Sequence, residues 1–287
     1  MGQDRQVDLT HLAWISDVFG GSDWLDALPR LIELVTTEWS LTLGPPFPEA
    51  HLSFAAPVQC ADGSSAVLKI QYPHRECVHE AAALDAWSGR GAVSVFRVDR
   101  DRHALLLERC EPGHSLAHAA NPLASLIGLV PRLWLAVDRP FDLLADEAAR
   151  WCERLQDSTR NDGLDPRLAD QAVGALRELV ASQNESVLLH QDLHAGNVLA
   201  ATREPWLAID PKPLVGEREF SVAPIVRDAA LGFSSVEVRR RLDRLCEAWD
   251  FDRDRARGWT IGQTMAWAEA PFIERHEQVV RWLLGED

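Results

Sequence analysis

The sequence has few cysteines, and their spacing excludes two classes of protein. Among 287 residues there are five, at Cys60, Cys77, Cys110, Cys152 and Cys246. They are odd in number, lie far apart and form no C-x-x-C pair, so neither a disulfide framework nor a cysteine metal site is expected. This pattern predicts a reducing, cytoplasmic location.

Long apolar runs and an excess of positive charge are also missing. No stretch approaches the roughly 18 uncharged apolar residues of a membrane span, and the polar residues 1–8 contain no apolar run of signal-peptide length. The formal net charge of -15 argues against nucleic acid as a partner and is compatible with a cationic small molecule, although solubility is the plainer explanation. No membrane, nucleic-acid or obligate protein partner is expected.

Lysine is the scarcest charged side chain. Of 29 basic residues only Lys69 and Lys212 are lysines, and the others are arginines. Lysine carries a compact point charge, whereas arginine presents a planar fork of donors. A lysine kept against this arginine bias is therefore a candidate for a position where arginine does not serve, and both lysines lie within the motifs described below.

Two segments of different character follow one another along the chain. Residues 1–108 contain strand-like runs joined by turns, whereas residues 109–287 are mostly helical, which predicts an α+β protein of two domains. The predicted elements of the first segment are a helical region within the first 40 residues, strands over 51–59 and 66–72, a helix over 74–87, and strands over 92–98 and 104–108.

The strongest motif is HQDLHAGN, residues 190–197, followed by an apolar run that ends in Asp210. It resembles the catalytic loop and the metal-binding aspartate of the protein-kinase-like superfamily. Phosphoryl transfer needs a carboxylate to accept the proton of the attacking hydroxyl, and oxygen ligands to hold Mg²⁺ against the nucleotide phosphates. The resemblance makes Asp192 the base, with Asn197 and Asp210 as the metal ligands.

Two other interpretations of this motif stay open at the level of the sequence. Asp and Asn are common in polar turns, where they bond to backbone groups. His190 and His194 are four residues apart and could bind a metal ion, although no third ligand is obvious.

A second motif surrounds the first lysine. Val67-Leu68-Lys69-Ile70 resembles the kinase strand whose lysine binds the nucleotide α- and β-phosphates and is held by a carboxylate of the following helix. Glu80 is the preferred partner, because the apolar residues at positions 83, 84 and 87 continue its face of the predicted helix. Lys69 and Glu80 are therefore expected to form an ion pair.

The same resemblance implies an adenine site. The apolar strand ending at Glu108 resembles the kinase hinge, where backbone groups of Glu108 and Cys110 would contact the adenine edge. Val67 on one side, with Leu199 and Ile209 on the other, would sandwich the base. Each of these apolar residues is also explained by packing in a core.

The predicted phosphate loop departs from the protein-kinase pattern. Residues 44–53 contain one glycine, Gly44, where protein kinases carry G-x-G-x-x-G. Antibiotic kinases are less strict at this loop, so the departure favours them over protein kinases. Ser53 is a candidate phosphate ligand here.

A closer resemblance is carried by several segments together. The catalytic loop, the tripeptide Asp-Pro-Lys that opens residues 210–218, and the segments ADG (61–63), GRGAV (89–93) and RGWT (257–260) are similar to the streptomycin 6-phosphotransferase and hydroxyurea phosphotransferase family. The likeness extends over about residues 39–265. It implies a two-lobed protein-kinase-like fold, with a nucleotide-binding lobe over 1–108 and a catalytic and substrate-binding lobe over 109–287.

The resemblance also implies an activity. The chain is expected to be an ATP- and Mg²⁺-dependent O-phosphotransferase that acts on a small antibiotic, a streptomycin-like cationic aminoglycoside, and so confers resistance. The alternatives are a kinase of another small molecule, such as hydroxyurea or a metabolite, and a catalytically impaired nucleotide-binding homologue.

Three positions differ from the family pattern. Gln191 stands where the family has glycine, Pro213 follows the Asp-Pro-Lys tripeptide in place of glycine, and Ser221 replaces an aspartate that braces the catalytic loop. Asp228 is a candidate substitute for that brace.

Two groups of charged residues lie outside these motifs. Guanidinium groups of a streptomycin-like substrate pair well with carboxylates, and the candidate acids are Glu217, Glu219, Glu269 and Glu274, although each is also explained as a solvated surface charge. The arginines of 239–244 are interleaved with Asp243 and Glu247, which favours a solvated helix face over a nucleic-acid patch.

Overall fold

The chain folds into two compact units, Met1–Glu111 and Pro112–Asp287. The computed structural model describes residues 9–137, 141–157, 163–183 and 185–286. Each unit has its own sheet and its own helices, as the change in sequence character along the chain indicates.

Over its described residues, 9–111, the first unit is a five-stranded antiparallel sheet with three α-helices. The strand order is β1-β2-β3-β5-β4, and every neighbouring pair is antiparallel. The elements are α1 (Trp14–Phe19), α2 (Ser22–Glu38), β1 (Thr42–Leu43), β2 (Ser53–Gln59), β3 (Ser65–Gln71), α3 (Glu80–Trp87), β4 (Val95–Asp99) and β5 (Ala104–Glu108).

One apolar cluster joins α2 to the sheet. Leu28, Ile32 and Val35 are spaced along one face of α2, and all three are buried in the same cluster as Phe54 of β2 and Leu68 of β3. Burial of such side chains contributes roughly 1.5–3 kcal/mol each to folding. The cluster fixes β3, and so fixes the strand that carries Lys69.

The predicted helix over 74–87 is shorter than expected. A 3₁₀ turn spans Arg75–Cys77, and the α-helix begins only at Glu80. No residue of that turn is buried, whereas α3 buries Ala83, Leu84 and Trp87. A regular helix is stabilised mainly by packing of its apolar face, and only the second half of the predicted segment has one.

The strand predicted over 92–98 is observed, but it begins three residues later than expected. The observed β4 runs from Val95 to Asp99, with a register shift between Val95 and Arg97. Ala92 and Val93 are buried but lie before the strand. Their apolar character reflects packing rather than strand pairing. The other predicted strands of this unit are observed within two residues of their expected ends.

The second unit is mainly helical and carries short strands. Leu214 of β10 pairs with Leu189 of β7 and with Asp142 of β6, while β8 and β9 form a separate antiparallel pair. The strands are β6 (Asp142–Leu143), β7 (Val187–Leu189), β8 (Val198–Ala200), β9 (Trp206–Ala208) and β10 (Leu214–Gly216). The helices are α4 (Pro122–Leu129), α5 (Leu144–Gln156), α6 (Pro166–Ala181), α7 (Val222–Val226), α8 (Ser235–Trp249), α9 (Arg253–Ala266) and α10 (Ile273–Leu283).

Helix α9 is the centre of this unit. It packs against α5, α6, α7 and α10, and nine of its residues are buried, including the polar Thr260, Gln263 and Thr264. Loop 190–197 connects β7 to β8, and Gln263 of α9 donates to the Gln191 carbonyl, so this core also positions the loop. The five cysteines all lie within the described residues, and none of them is in a disulfide. Among the described helices, none combines the length and apolar character needed to cross a bilayer.

Candidate active site

Lys69 and Glu80 form a buried ion pair in the first unit. The Nζ of Lys69 lies 2.8 Å from Oε1 and 2.7 Å from Oε2 of Glu80. Gln71, two residues further along β3, donates from Nε2 to the same Oε2 at 2.6 Å. The structure therefore brings together the lysine and the carboxylate that the sequence pairs, and adds an amide donor that the sequence did not indicate.

Glu80 points inward because of its place in α3. It is the first residue of the helix, and Ala83, Leu84 and Trp87 continue its face into the core with essentially no exposed surface. A carboxylate on such a face needs compensating donors, since an uncompensated buried charge is costly. Lys69 and Gln71 supply them.

Three other candidates, Ser53, Val67 and Glu108, lie in strands of the same sheet, while Cys110 is half-buried two residues beyond β5. Ser53 is buried at the first position of β2, opposite Gln71, and Val67 is half-buried in β3. Glu108 ends β5, where its backbone N–H donates to the carbonyl of Ser94 at 2.8 Å. A nucleotide contact at Glu108 would therefore use its carbonyl oxygen.

Asp192 lies among cationic side chains in the second unit. Its Oδ2 is 3.2 Å from Nζ of Lys212, and its Oδ1 is 3.6 Å from an Nη of Arg227 and 4.0 Å from Nε2 of His194. About 13% of the side chain is exposed. The carboxylate is thus held in place and yet accessible to a small acceptor.

These cations set the charge state of Asp192. Burial by itself would raise the pKa of this carboxyl group, but the charges of Lys212, His194 and Arg227 outweigh it and hold the pKa below its ordinary value. Asp192 is therefore ionised at neutral pH, as a proton acceptor must be before the reaction.

The loop reaches this geometry through an unusual backbone at Gln191. Its φ of 65° lies in the left-handed region, which glycine adopts without steric cost. The family resemblance expects glycine here, and the φ value gives the physical reason. The Gln191 carbonyl accepts a hydrogen bond from Nε2 of Gln263 on α9 at 2.9 Å, which ties the loop to the core.

Asn197 lies immediately before β8, and Asp210 lies two residues after β9, which pairs with β8. The Nδ2 of Asn197 donates to the backbone carbonyl of Asp192 at 2.9 Å, so its side-chain oxygen is the atom that suits a metal ion. The N–H of Ile209 donates to the Asn197 carbonyl at 2.9 Å, which places the residue before Asp210 beside Asn197. Asp210 is exposed and has a left-handed φ of 57°.

His190 links the two parts of this site. Its Nε2 is 3.0 Å from the Ile209 carbonyl, and burial lowers its pKa to about 4. The ring is therefore neutral at pH 7, and since a carbonyl only accepts, Nε2 carries the proton. His190 positions the backbone immediately before Asp210.

This arrangement disfavours a metal ion held by the two histidines. Nε2 of His190 is bonded to a carbonyl, and Nδ1 of His194 accepts from the Gly196 N–H at 3.0 Å. Within the described ranges, no three His, Cys, Asp or Glu side chains form a metal-binding group. One Asn and one Asp suit Mg²⁺ that takes its other ligands from phosphates and water.

The two apolar candidates of this unit flank the loop. Leu199 is half-buried at the centre of β8, where it pairs with Leu207 and forms a bridge with Ser115. Ile209 is half-buried just beyond β9. Both lie within a few residues of Asn197 and Asp210.

Several residues around Asp192 were missed by the sequence analysis. Trp267 lies with its ring centroid 4.6 Å from Nζ of Lys212 and 4.4 Å from the guanidinium of Arg227. Arg227 also donates to Oε1 of Gln263 at 2.8 Å, and burial lowers its pKa to about 10, so it stays charged at pH 7. Only the rarity of lysine drew attention to Lys212; Arg227 is one arginine among many.

Asp228 contacts the catalytic loop directly. Its Oδ2 accepts from the N–H of Ala195 at 2.9 Å, while its Oδ1 accepts from the N–H of Ala230 at 2.9 Å. Ser221 instead accepts a hydrogen bond from Nε1 of Trp134 at 3.0 Å. Asp228 therefore braces the loop, as suggested from the sequence, in a chain that lacks the family's aspartate at 221.

The two unusual residues Gln191 and Ser221 share one small cavity. Its volume is about 10 Å³, and its wall also includes Trp134 and His190. The Gln191 side chain is therefore buried behind the loop, at a position where the resemblance expects glycine.

The candidate substrate acids are not equivalent. Glu217 is 1% exposed and is bound by Arg255, at 2.6 Å, and by the indole N–H of Trp259. Glu217 is therefore not a solvated surface charge. It is also a poor candidate for binding a substrate, because Arg255 already compensates its charge inside the unit. Glu269 is exposed and pairs with Arg154 at 2.9 Å, and Glu274 is exposed in the first turn of α10. The half-buried Glu219 has a pKa raised by burial.

Comparison with protein families gives a match across most of the chain. The model of a family described as aminoglycoside/hydroxyurea antibiotic resistance kinase matches residues 38–270. This range contains Lys69, Glu80, Asp192, Asn197 and Asp210.

Individual relatives agree with this match. A streptomycin 6-kinase of Streptomyces glaucescens is 38% identical over 257 residues, which cover 85% of this chain and 83% of the relative. A hydroxyurea phosphotransferase of Kitasatospora aureofaciens is 36% identical over 281 residues, covering 92% and 81%. A crystal structure of the aminoglycoside phosphotransferase APH(4)-Ia, a thermostable mutant with ADP and hygromycin B, has a TM-score of 0.58 at 13% identity, covering 88% of this chain and 95% of that one. The last likeness identifies the fold as protein-kinase-like.

Proposed function

Because the chain belongs to the aminoglycoside/hydroxyurea antibiotic resistance kinase family, we propose that it transfers the γ-phosphate of ATP to a hydroxyl group of a streptomycin-like aminoglycoside, and so inactivates the antibiotic. The observation that carries the proposal is the ionised Asp192, held by Lys212 and Arg227 in the same loop as Asn197. A base with this support suits an attacking hydroxyl.

In this proposal the two predicted segments have different roles. Residues 1–108 bind the nucleotide, with Lys69 on its phosphates and Glu80 holding Lys69 in place. Residues 109–287 supply catalysis and the substrate site. The remaining nucleotide contacts in this proposal are Ser53, Val67, Glu108, Cys110, Leu199 and Ile209.

Asn197 and Asp210 are the proposed ligands of Mg²⁺. The side-chain amide of Asn197 already donates its N–H to the Asp192 carbonyl, which leaves an oxygen of the right chemistry for a hard cation. When bound, Mg²⁺ neutralises charge on the nucleotide phosphates. His190 keeps the backbone before Asp210 in register.

Asp192 orients the acceptor hydroxyl and takes its proton. Lys212 and Arg227 keep the carboxylate ionised until the acceptor arrives. They also hold it in one orientation, since both cations pack on the ring of Trp267. Correct orientation of a reacting pair is itself a large part of catalysis.

The substrate class follows from the relatives and from charge. Streptomycin carries guanidinium groups, for which the net charge of -15 provides general attraction. Of the predicted acids, Glu219, Glu269 and Glu274 remain candidates for direct contact, whereas Glu217 does not. A cytoplasmic location, where ATP and reduced cysteines are found, belongs to the same proposal.

The proposal is tested with a panel of acceptors. Purified protein with Mg²⁺ and ATP is incubated with streptomycin, other aminoglycosides and hydroxyurea, while ADP release and the mass of each product are measured. A streptomycin product heavier by one phosphate is expected, and Asp192→Asn serves as the matched inactive control. If no aminoglycoside is labelled, the proposed substrate class is wrong.

Hydroxyurea is the second candidate acceptor. The 36% identity to a hydroxyurea phosphotransferase over 92% of the chain supports it. Phosphorylation of hydroxyurea with aminoglycosides untouched would establish this activity instead. A nucleotide-binding protein without turnover is less well supported, because Asp228 supplies the brace whose loss at Ser221 suggested it.

A further inference from the structure

Helix α8 carries four arginines that do not form one uniform solvated face. Arg241 is 2% exposed, and it donates from Nε, Nη1 and Nη2 to the backbone carbonyls of Val226, Leu231 and Gly232 at 2.8–3.2 Å. Arg239 donates to the Trp282 carbonyl at 2.9 Å. The prediction of a solvated helix face is therefore wrong for Arg241. The carbonyls that surround its guanidinium group belong to residues 226–232, and no local sequence pattern indicates that they lie there.

The interleaved acids do not neutralise the remaining two arginines. Asp243 pairs with Arg253 at 2.6 Å. Within the described part of the chain, neither Arg240 nor Arg244 forms an ion pair. These two exposed side chains are one helical turn apart, where like charges destabilise a helix.

Arg240, Arg241 and Arg244 line a cavity of about 200 Å³. The other wall includes residues 121–124, at the start of α4, and one carboxylate, Glu237. The carboxylates of Glu237 and Asp228 both act on Arg241, so Arg240 and Arg244 carry the local excess of positive charge, in a chain whose net charge is -15. Such a concentration of cations around a cavity favours an anion.

The start of α4 adds backbone donors to the same cavity. The first N–H groups of an α-helix have no acceptor within the helix, and they carry the positive end of its dipole. Asn121 is the N-cap residue and makes no side-chain capping bond, and Leu123 and Ala124 of the first turn both line the cavity. Helix starts of this kind bind phosphate groups.

We propose that this cavity is a second anion site, separate from the nucleotide phosphates, and that it binds a phosphate group. Arg240 and Arg244 supply charge-assisted hydrogen bonds to its oxygens. Arg241 contributes positive charge from behind, since most of its N–H groups are bonded to carbonyls. The phosphate is either free inorganic phosphate or the phosphomonoester of a small metabolite.

Calorimetric titration tests the site on the full-length protein. Inorganic phosphate and glycerol 3-phosphate are titrated at constant ionic strength, with Mg²⁺ and a saturating non-hydrolysable ATP analogue present so that the nucleotide site is filled. One binding event is expected. Tighter binding of the ester identifies a phosphorylated metabolite as the ligand, and equal or tighter binding of phosphate identifies the free ion.

Matched variants connect this binding to the cavity. Arg240→Ala/Arg244→Ala is expected to weaken binding by roughly tenfold or more, while Arg30→Ala/Arg100→Ala, which removes two exposed arginines of the first unit, leaves it unchanged. Arg244→Glu alone should also abolish binding. Each variant removes an exposed side chain, so an unchanged melting temperature is the control for folding.

Three results would overturn the proposal. They are no phosphate binding by the unaltered protein, equal binding by the Arg240→Ala/Arg244→Ala variant, and an equal loss in the Arg30→Ala/Arg100→Ala variant. Turnover with ATP is unaffected in either double variant, which distinguishes this site from the proposed kinase centre.

Discussion

The carboxylate of Asp228 accepts a hydrogen bond from the backbone N–H of Ala195, which lies in the loop 190–197. The family places its bracing aspartate at the position of Ser221 here. In this chain the bond to the loop comes from a residue seven positions later, at the start of the 3₁₀ turn Ala229–Leu231.

Loss of this brace should lower both stability and turnover. Asp228→Ala removes bonds to Ala195 and Ala230, and a hydrogen bond to a charged group contributes about 1.5–3 kcal/mol. We expect a fall of that order in the free energy of unfolding, measured with urea, and a reduced kcat. Ser221→Ala, which removes only the bond from Trp134, should keep normal turnover. Equal turnover in the Asp228→Ala variant would show that the loop needs no brace.

The buried pair of Lys69 and Glu80 allows stability and activity to be separated. Lys69→Met leaves the Glu80 charge buried without its cation, which should cost about 3–5 kcal/mol. Lys69→Met/Glu80→Gln removes that charge and keeps an acceptor for Gln71, so most of the stability should return. Neither variant should turn over substrate.

A third variant tests whether the shape of the cation at position 69 matters when its charge is kept. Lys69→Arg keeps the charge, but a planar fork cannot replace a point donor. We expect a large loss of kcat/KM for ATP, with smaller effects on unfolding. Normal kinetics in Lys69→Arg would contradict the role proposed for Lys69.

The charge on Asp192 gives a prediction for pH dependence. Asp192→Asn should lower turnover by roughly 10²–10⁴-fold with the fold intact. In the unaltered protein the ionised form is present above the lowered pKa, so activity is lost only as the pH falls through that value. Lys212→Met removes a cation that lowers the pKa, so the acid limb of kcat/KM should move to higher pH. An unmoved limb would show that another group controls it.

Removal of a proposed metal ligand should uncouple nucleotide binding from magnesium. Asp210→Ala is expected to bind ATP no more tightly with Mg²⁺ than without it, measured by calorimetry at fixed ionic strength. The exposed Asp254 offers a control, because Asp254→Ala removes a surface carboxylate of equal charge on α9. Magnesium-dependent binding that persists in Asp210→Ala would remove Asp210 from the metal site.

The left-handed backbone at Gln191 predicts an order of stability. Gln191→Gly and Gln191→Ala both delete the buried side chain, but only glycine tolerates a φ of 65° without steric cost. The glycine variant should therefore be more stable than the alanine variant by about 1–2 kcal/mol, measured by urea unfolding. Equal stability would mean that the loop changes its backbone when the side chain is removed.

The sequence was informative where chemistry depends on neighbouring residues in the chain. The apolar face of Ala83, Leu84 and Trp87 predicted that Glu80 points inward, and the structure shows it bonded to Lys69. The motif at residues 190–197 and the apolar run ending at Asp210 likewise suggested that these segments lie together, and the N–H of Ile209 donates to the Asn197 carbonyl. Local periodicity carries this information because helices and strands repeat their side-chain directions.

The sequence was uninformative about charged residues whose partners lie far away along the chain. Glu217 and Arg241 look like surface residues in the chain, yet both are buried with partners that come from other helices and turns. Arg227 was one arginine among many, until the fold placed it beside Asp192 and Trp267. No local sequence pattern indicates which distant side chain will compensate the charge of a buried residue.

The residue pattern along the chain was enough to recognise the family, which the family model and the relatives confirm, and to propose an order of polar groups for phosphoryl transfer. The cations around Asp192, the bond from its loop to Asp228 and the burial of Glu217 with Arg255 became visible in the folded structure alone. The reason is physical: side-chain direction follows from local repeats, whereas burial and the pairing of charges depend on elements that folding brings together from distant parts of the chain.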